Sequence, residues 1–263
     1  MLTSLQNPLV KHLRKLQQPK YRRSQQQFLL EGTHLLLEAC AVGWPLDLVC
    51  FTPDWQAKQS ADLLAQLDQT RIEVVSESVL QAIATTITPD GVVAVAQACP
   101  SPELTFGSLG LVLENIQDPG NLGTMIRTAA AAGAEGILVS ADCVDLENPK
   151  VLRASAGQWF RLPIATVDRL HEHLTPYRSP DWQIVATLPQ AKANYWDLDL
   201  TQPTLFLLGN EGAGLSDQLI ELSTHQVKIP LQQGVESLNV AIAAALMLYE
   251  CQRQRQLAIP IAH

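Results

Sequence analysis

No two cysteines of this chain stand at Cys-x-x-Cys spacing; Cys40, Cys50, Cys99, Cys143 and Cys251 are scattered and odd in number. That excludes a disulfide framework or a zinc ribbon as the organising feature, and a reducing, cytoplasmic setting is expected. The one histidine cluster, His171-Glu172-His173, does not align both rings on a helix face, so no metal is expected. No apolar run reaches the ~18 residues of a membrane span, and no membrane association is expected. Lys11, His12, Arg14 and Lys15 interrupt the first residues, which therefore lack the apolar stretch of a secretion signal. Internal repeats and low-complexity tracts are missing too. Positive charge is scarce: 18 Lys and Arg against 26 Asp and Glu leave a net charge of −8.

Apolar residues are plentiful, 47% of 263, enough for one large or two modest domains with buried cores. The charge is uneven. Residues 1–34 hold six Lys and Arg against Glu31 alone, which is +5 and leaves −13 for the remainder. A basic arm on an acidic body fits a nucleic-acid binder, and it also fits a solvated helix face.

The pattern of apolar residues predicts a basic amphipathic helix over 7–17, with Leu9, Leu13 and Leu16 on one face. Pro19 is expected to end it, and 25–27 to be a polar connector. Strands at 28–31, 46–51, 72–75 and 91–96 then alternate with helices at 33–42, 54–67 and 78–85. That alternation predicts a small α/β domain with a largely parallel sheet. The Pro- and Gly-bearing stretch 99–107 reads as a linker. A second series follows: strands at 111–113, 136–139, 162–165, 183–186, 204–208 and 226–229, with helices at 124–132, 149–157, 215–221 and 239–255.

Three segments concentrate glycine, amide and charge against apolar strands. The first runs from Asn115 to Thr128. Pro119 and Gly120 force a turn, Asn121 is expected on the loop, and Arg127 sits in an Ala-rich helix. An Arg there needs a partner: a phosphate, an interface or an ordinary salt bridge. The second is Leu207 to Ser216. Its G-x-x-G-x-G spacing is neither a dinucleotide fingerprint nor a P-loop, and Glu211 at its mouth disfavours a pyrophosphate. The third is Gly234 to Leu248, preceded by Val227-Lys228-Ile229-Pro230-Leu231. Ser237 reads as a helix N-cap and Asn239 as an amide in the first turn of an apolar helix. Ile229 and Leu238 would wall a flat ring.

Taken together these segments resemble the SpoU (TrmH) family of RNA ribose 2′-O-methyltransferases, in the SPOUT superfamily. The resemblance covers 109–254. It rests on Asp118-Pro119-Gly120-Asn121-Leu122-Gly123 with Arg127-Thr128, then Leu208-Gly209-Asn210-Glu211-Gly212, then Ile229-Pro230-Leu231 with Ser237-Leu238-Asn239-Val240, in the family's order. Asn148 to Gly157 also resembles the family's intervening segment. The resemblance implies an α/β fold: a C-terminal SPOUT domain over 107–263, whose parallel sheet threads into a deep trefoil knot. Residues 1–98 resemble the smaller α/β RNA-binding domain that many members carry.

The implied cofactor is S-adenosyl-L-methionine, held by Thr187, Leu188, Gly209, Asn210, Gly212, Ile229, Leu231 and Leu238. The implied catalytic group is Arg127, Asn121, Glu211, Ser237 and Asn239, with no metal. Members are homodimers, so a homodimer is expected. Arg22, Arg23 and Arg153 are candidates for RNA phosphate contacts, with Tyr21 beside them. The implied activity is methyl transfer to a ribose 2′-hydroxyl. rRNA is favoured over tRNA because members acting on the tRNA D-loop usually lack the N-terminal domain. A tRNA enzyme, a resistance methyltransferase and a non-catalytic RNA-binding scaffold are the alternatives. A nucleotide-dependent dehydrogenase lacks its glycine pattern here.

Overall fold

The computed structural model describes residues 1–67 and 70–258. Residues 68–69, inside the expected 1–98 domain, and 259–263, at the end of the expected 107–263 domain, lie outside the described residues. Two units form: Met1–Pro100 with Asp145–Arg161, and Ser101–Val144 with Leu162 onward.

In the first unit α1 (Pro8–Lys15) begins at Pro8, whose fixed φ suits a first helical position, and Asn7 Oδ1 accepts the Leu9 N–H at 2.8 Å. Val10, Leu13 and Leu16 turn inward. Pro19 does not end the helical stretch; it opens a second helix, α2 (Pro19–Gln25), again as the first helical residue, and left-handed Gln26 closes it. There follow β1 (Gln27–Glu31), α3 (Thr33–Ala41) and β2 (Leu46–Phe51). The expected helix over 54–67 is two short ones, α4 (Pro53–Gln56) and α5 (Ala61–Gln66), because Ser60 accepts the Leu63 N–H and starts a new helix. Then come β3 (Arg71–Val74), α6 (Glu77–Ile83) and β4 (Val92–Gln97).

The sheet order is β1-β4-β2-β3, and β4 runs antiparallel to both β1 and β2. Only β2 and β3 are parallel, so the expectation of a largely parallel sheet is corrected to a mixed one. β1, β2 and β4 are largely buried on both faces and read as mostly apolar runs, which carry no direction, while β3 at the edge is partly exposed. Alternate residues still choose faces. Phe28 and Leu30 face α3 and Trp55, whereas Leu29 faces α1 and α6.

The second unit contains β5 (Leu109–Leu113), α7 (Pro119–Ala131) and β6 (Ile137–Ser140). Between β6 and the next strand the chain contributes Asp145–Arg161, with α8 (Pro149–Ala154), to the first unit. The second unit resumes with β7 (Ile164–Val167), α9 (Leu170–Leu174), β8 (Gln183–Thr187), β9 (Ala193–Asn194), β10 (Thr204–Leu208), α10 (Asp217–Leu222), β11 (His225–Lys228) and α11 (Val240–Ala258). Seven strands in the order β7-β6-β5-β10-β8-β11-β9 form a sheet in which every pairing is parallel. Helices α7 and α11 pack on each other through their apolar sides. No helix of the described residues is long and apolar enough to cross a membrane.

The Asp145–Arg161 segment lies within the span expected as the second domain, yet it is tied to the first unit by charge and by aromatic packing. Arg22 pairs with Asp145, Arg153 with Glu31 at 2.6 Å, and Arg161 with Glu38. Trp159 meets Phe28 and Trp44 edge-on, with centroids 5.3 and 5.1 Å apart. The expected helix over 149–157 stops early because Ala156 and Gly157 are left-handed.

Glu147 in this segment has its carboxyl pushed up to about 7, first by burial and then by Asp145, with Arg22 and Arg23 offsetting part of the rise. The native state therefore keeps a proton that the unfolded chain has released, and stability falls as pH rises from about 4.5 to 7. Glu147→Gln is expected to raise the melting temperature at pH 8 and leave it nearly unchanged at pH 4.5. A melting difference independent of pH would contradict this assignment.

Candidate active site

Parallel strands β5, β10, β8 and β11 lie side by side, so the loops after their carboxyl ends gather at one edge of the sheet, where open α/β sheets bind ligands. A cleft of about 490 Å³ opens there. All eight residues named for the cofactor, Thr187, Leu188, Gly209, Asn210, Gly212, Ile229, Leu231 and Leu238, line it. Glu211, Ser237 and Asn239 line it as well.

The loop after β10 closes on itself. Asn210 and Gly214 exchange two backbone hydrogen bonds of 3.0 Å, and Asn210 Oδ1 accepts the N–H groups of Gly212 and Ala213 at 2.9 Å. Asn210 Nδ2 donates to the carbonyl of Asn115, itself left-handed at φ 54°. The turn is so tight that a Cβ on Gly209 would lie 2.2 Å from the backbone of Gly214.

Asn121 is not on a loop. Asp118 caps α7, accepting the Asn121 N–H at 2.9 Å, and Pro119 takes the first helical position, so Asn121 lies in the first turn. Its Nδ2 donates to Glu211 at 2.9 Å, which turns its Oδ1 toward Asn239 Nδ2, also at 2.9 Å. Asn239 Oδ1 in turn accepts the N–H groups of Ala241 and Ile242, at 2.9 and 3.3 Å. Asn239, rather than Ser237, therefore caps α11, and its side chain is exposed to the cleft instead of buried. Ser237 is left with its hydroxyl in the cleft wall.

Glu211 also accepts the backbone N–H groups of Asp118 and Gln117, at 3.2 and 3.3 Å. Burial would raise its carboxyl, but the Asn121 amide and the backbone N–H groups hold it below the usual carboxylate range. It is a fixed anion and a poor proton acceptor. The only other titratable group lining the cleft among the described residues is Glu236, which sequence reasoning passed over although it adjoins Ser237. Neither histidine nor lysine lines it among the described residues; its polar lining is amide, hydroxyl and carboxylate, which suits the orientation of a bound partner.

Arg127 is not drawn into the cleft. It lies two turns beyond Asn121 on the exposed side of α7, with no hydrogen bond or ion pair among the described residues. The RNA candidates of the first unit separate. Arg22 requires correction: its side chain is 1% exposed and its guanidinium is spent on Asp145 and on the carbonyls of Leu16 and Gln17, at 3.0 and 2.9 Å. Arg153 is likewise engaged, with Glu31 and Thr85. Both guanidinium groups hold structure within the first unit; of the three, Arg23 alone is exposed.

Residues 108–249 match the SpoU rRNA methylase family, and residues 7–94 match the MRM3-like substrate binding domain. An uncharacterized tRNA/rRNA methyltransferase of Synechocystis sp. is 51% identical over 97% of this chain and 94% of its own. The 23S rRNA (guanosine(2553)-2′-O)-methyltransferase RlmP of Bacillus subtilis is 32% identical over 94% of this chain and 97% of its own. Among solved structures, the AdoMet-bound rRNA methyltransferase of Sinorhizobium meliloti superposes with a TM-score of 0.84 at 33% identity, covering 96% of this chain and 97% of that one.

Proposed function

Because the chain belongs to the SpoU rRNA methylase family, we infer that it transfers the methyl group of S-adenosylmethionine to a ribose 2′-hydroxyl of rRNA. The observation that carries this reading is the hydrogen-bonded line from Glu211 through Asn121 to Asn239 along the cleft.

The residues present fit the cofactor. Ile229, Leu231 and Leu238 offer apolar walls for a purine ring, and the turn at Gly209 has no room for a side chain. Thr187 Oγ1, in the cleft wall, is buried with no hydrogen-bond partner among the described residues. Bound S-adenosylmethionine supplies a methyl group on a sulfonium, already activated toward an oxygen nucleophile. The protein's part is to orient that oxygen. A ribose hydroxyl is a weak nucleophile, so its placement carries much of the rate. Asn121 and Asn239 are fixed by their own bonds and present a pre-set polar edge to it, with Ser237 beside them. Glu211, held ionised, keeps Asn121 from turning. Arg127, with its planar fork of donors, grips an RNA phosphate.

Residues 1–98 bind the RNA in this reading and 107–263 carry out transfer. The superfamily's deep trefoil knot accords with the way the 209–214 loop and the 229–239 segment line one cleft, with Asn121 bonded to Glu211 and Asn239. A homodimer is supported by Ile242, Leu246 and Tyr249, exposed at helical spacing along α11. A cytoplasmic location accords with five unpaired cysteines.

The test is transfer of labelled methyl from S-adenosylmethionine to purified rRNA and, separately, to bulk tRNA, with the labelled nucleoside identified after digestion. Label on a ribose 2′-oxygen of rRNA is the expected result. Label in tRNA alone would move the assignment to tRNA, and none in either would favour the scaffold.

A further inference from the structure

The first unit holds six exposed cations that form no ion pair among the described residues: Lys11, Arg14, Lys15, Lys20, Arg23 and Lys58. Five of them fall within thirteen residues, on α1 and α2, and neither helix has an acidic residue. On α1, Lys11, Arg14 and Lys15 share the side opposite buried Val10 and Leu13. The two helices present one continuous surface. Lys15 Nζ lies 5.5 Å from the centroid of the Tyr21 ring, and Arg22 ties α2 back to the carbonyls of Leu16 and Gln17 at the end of α1. Arg23 stands within electrostatic reach of Glu147 without bonding to it.

Helix electrostatics do not account for this arrangement. The negative end of the macrodipole favours Arg14 and Lys15 in the last turn of α1. It offers nothing to Lys11 in the middle of that helix, and Lys20 sits in the first turn of α2, where the dipole opposes a cation. The elsewhere abundant acids would also neutralise these groups if stability were the only demand; the unit's Arg71, Arg153 and Arg161 are all paired.

We propose that the α1–α2 surface is where the RNA backbone docks, its five cations each contacting a phosphate while Tyr21 packs beneath Lys15. This deepens the reading of rRNA as substrate and rests on it. Contacts of this kind position the RNA without reading its sequence. Their signature is the salt dependence of binding: five phosphate contacts give log Kd against log salt a slope of about 3.5 to 4.5.

The experiment measures binding of purified, protein-free rRNA to the full-length protein between 50 and 200 mM salt. A variant carrying Lys11→Gln, Arg14→Gln, Lys15→Gln, Lys20→Gln and Arg23→Gln is compared with wild type. Its slope is expected to fall by about 3.5 to 4.5 and its affinity at least tenfold, with S-adenosylmethionine affinity unchanged. The single changes Lys11→Gln and Lys20→Gln are each expected to lower the slope by about 0.7 to 0.9. They keep the test valid should the fivefold variant unfold. Unchanged slopes overturn the proposal. So does a variant that binds protein-free rRNA normally but not ribosomal particles, since the surface would then take a protein. The salt slope needs no turnover, so a wild type that binds rRNA but methylates only tRNA would fail the substrate assignment while leaving this surface separately measured.

Discussion

Gly209→Ala should leave the protein with S-adenosylmethionine affinity lowered by roughly a hundredfold or more, about 2.8 kcal/mol. The added Cβ would stand 2.2 Å from the carbonyl carbon and oxygen of Gly214 and 2.4 Å from the amide nitrogen of Leu215. These are backbone atoms, so no side-chain rotation relieves the clash. Overpacking a well-packed site costs about 1–3 kcal/mol, and here relief requires the Asn210–Gly214 pairing to open. Opening it moves Asn210 off the Asn115 carbonyl and Glu211 off Asn121, which deforms the cleft floor and the polar line together. Gly212→Ala is the control: its Cβ would meet only Asn210 Oδ1, at an ordinary 3.6 Å. Calorimetric titration of both variants decides the matter. Near-normal affinity in Gly209→Ala would remove this turn from the cofactor site.

Arg127→Ala is expected to lower kcat by roughly a thousandfold, the loss seen when one oriented charge or donor is taken from a transition state, with cofactor affinity preserved. Arg127 lines no part of the cleft, which is why binding of the cofactor should survive. Its guanidinium has no partner among the described residues of this chain. A cation on an otherwise apolar, Ala-rich helix is then left for a ligand. Arg127→Lys keeps the charge and loses the planar fork that holds a phosphate through two bonds, so partial activity is expected. Normal turnover by Arg127→Ala would falsify the assigned role. A parallel loss of cofactor affinity would make it a structural residue instead.

Much of the site was legible because its parts are local. Gly209 to Gly214 make a turn whose glycines are adjacent in the chain, and Pro119 after Asp118 is a helix start that could have been read from capping chemistry alone. Asn121 was expected on a loop because Pro119 and Gly120 look like a forced turn. With Asp118 capping it, Pro119 is instead the first helical residue, and the helix starts five residues sooner than the expected Thr124. Asn239, expected inside the first turn of its helix, instead caps it by accepting the N–H groups of Ala241 and Ile242. The same amide also reaches Asn121, 118 residues away, and no local pattern could report that.

By itself the sequence determined most of the strands and longer helices, though not α2, α9 or β9, and which loops carry glycine and amides. The order of those loops also identified the family. These follow from periodicity, capping and turn chemistry, which act over a few residues. Tertiary structure decided the antiparallel course of β4, the placing of Asp145–Arg161 with the first unit, and which arginines are spent. Arg22 and Arg23 are neighbours with the same side chain. One is buried against Asp145, 123 residues along the chain, and the other is exposed. Chain direction and long-range pairing depend on how the sheet closes and which buried acceptor lies within reach, and a burial pattern that repeats every two or 3.6 residues carries neither.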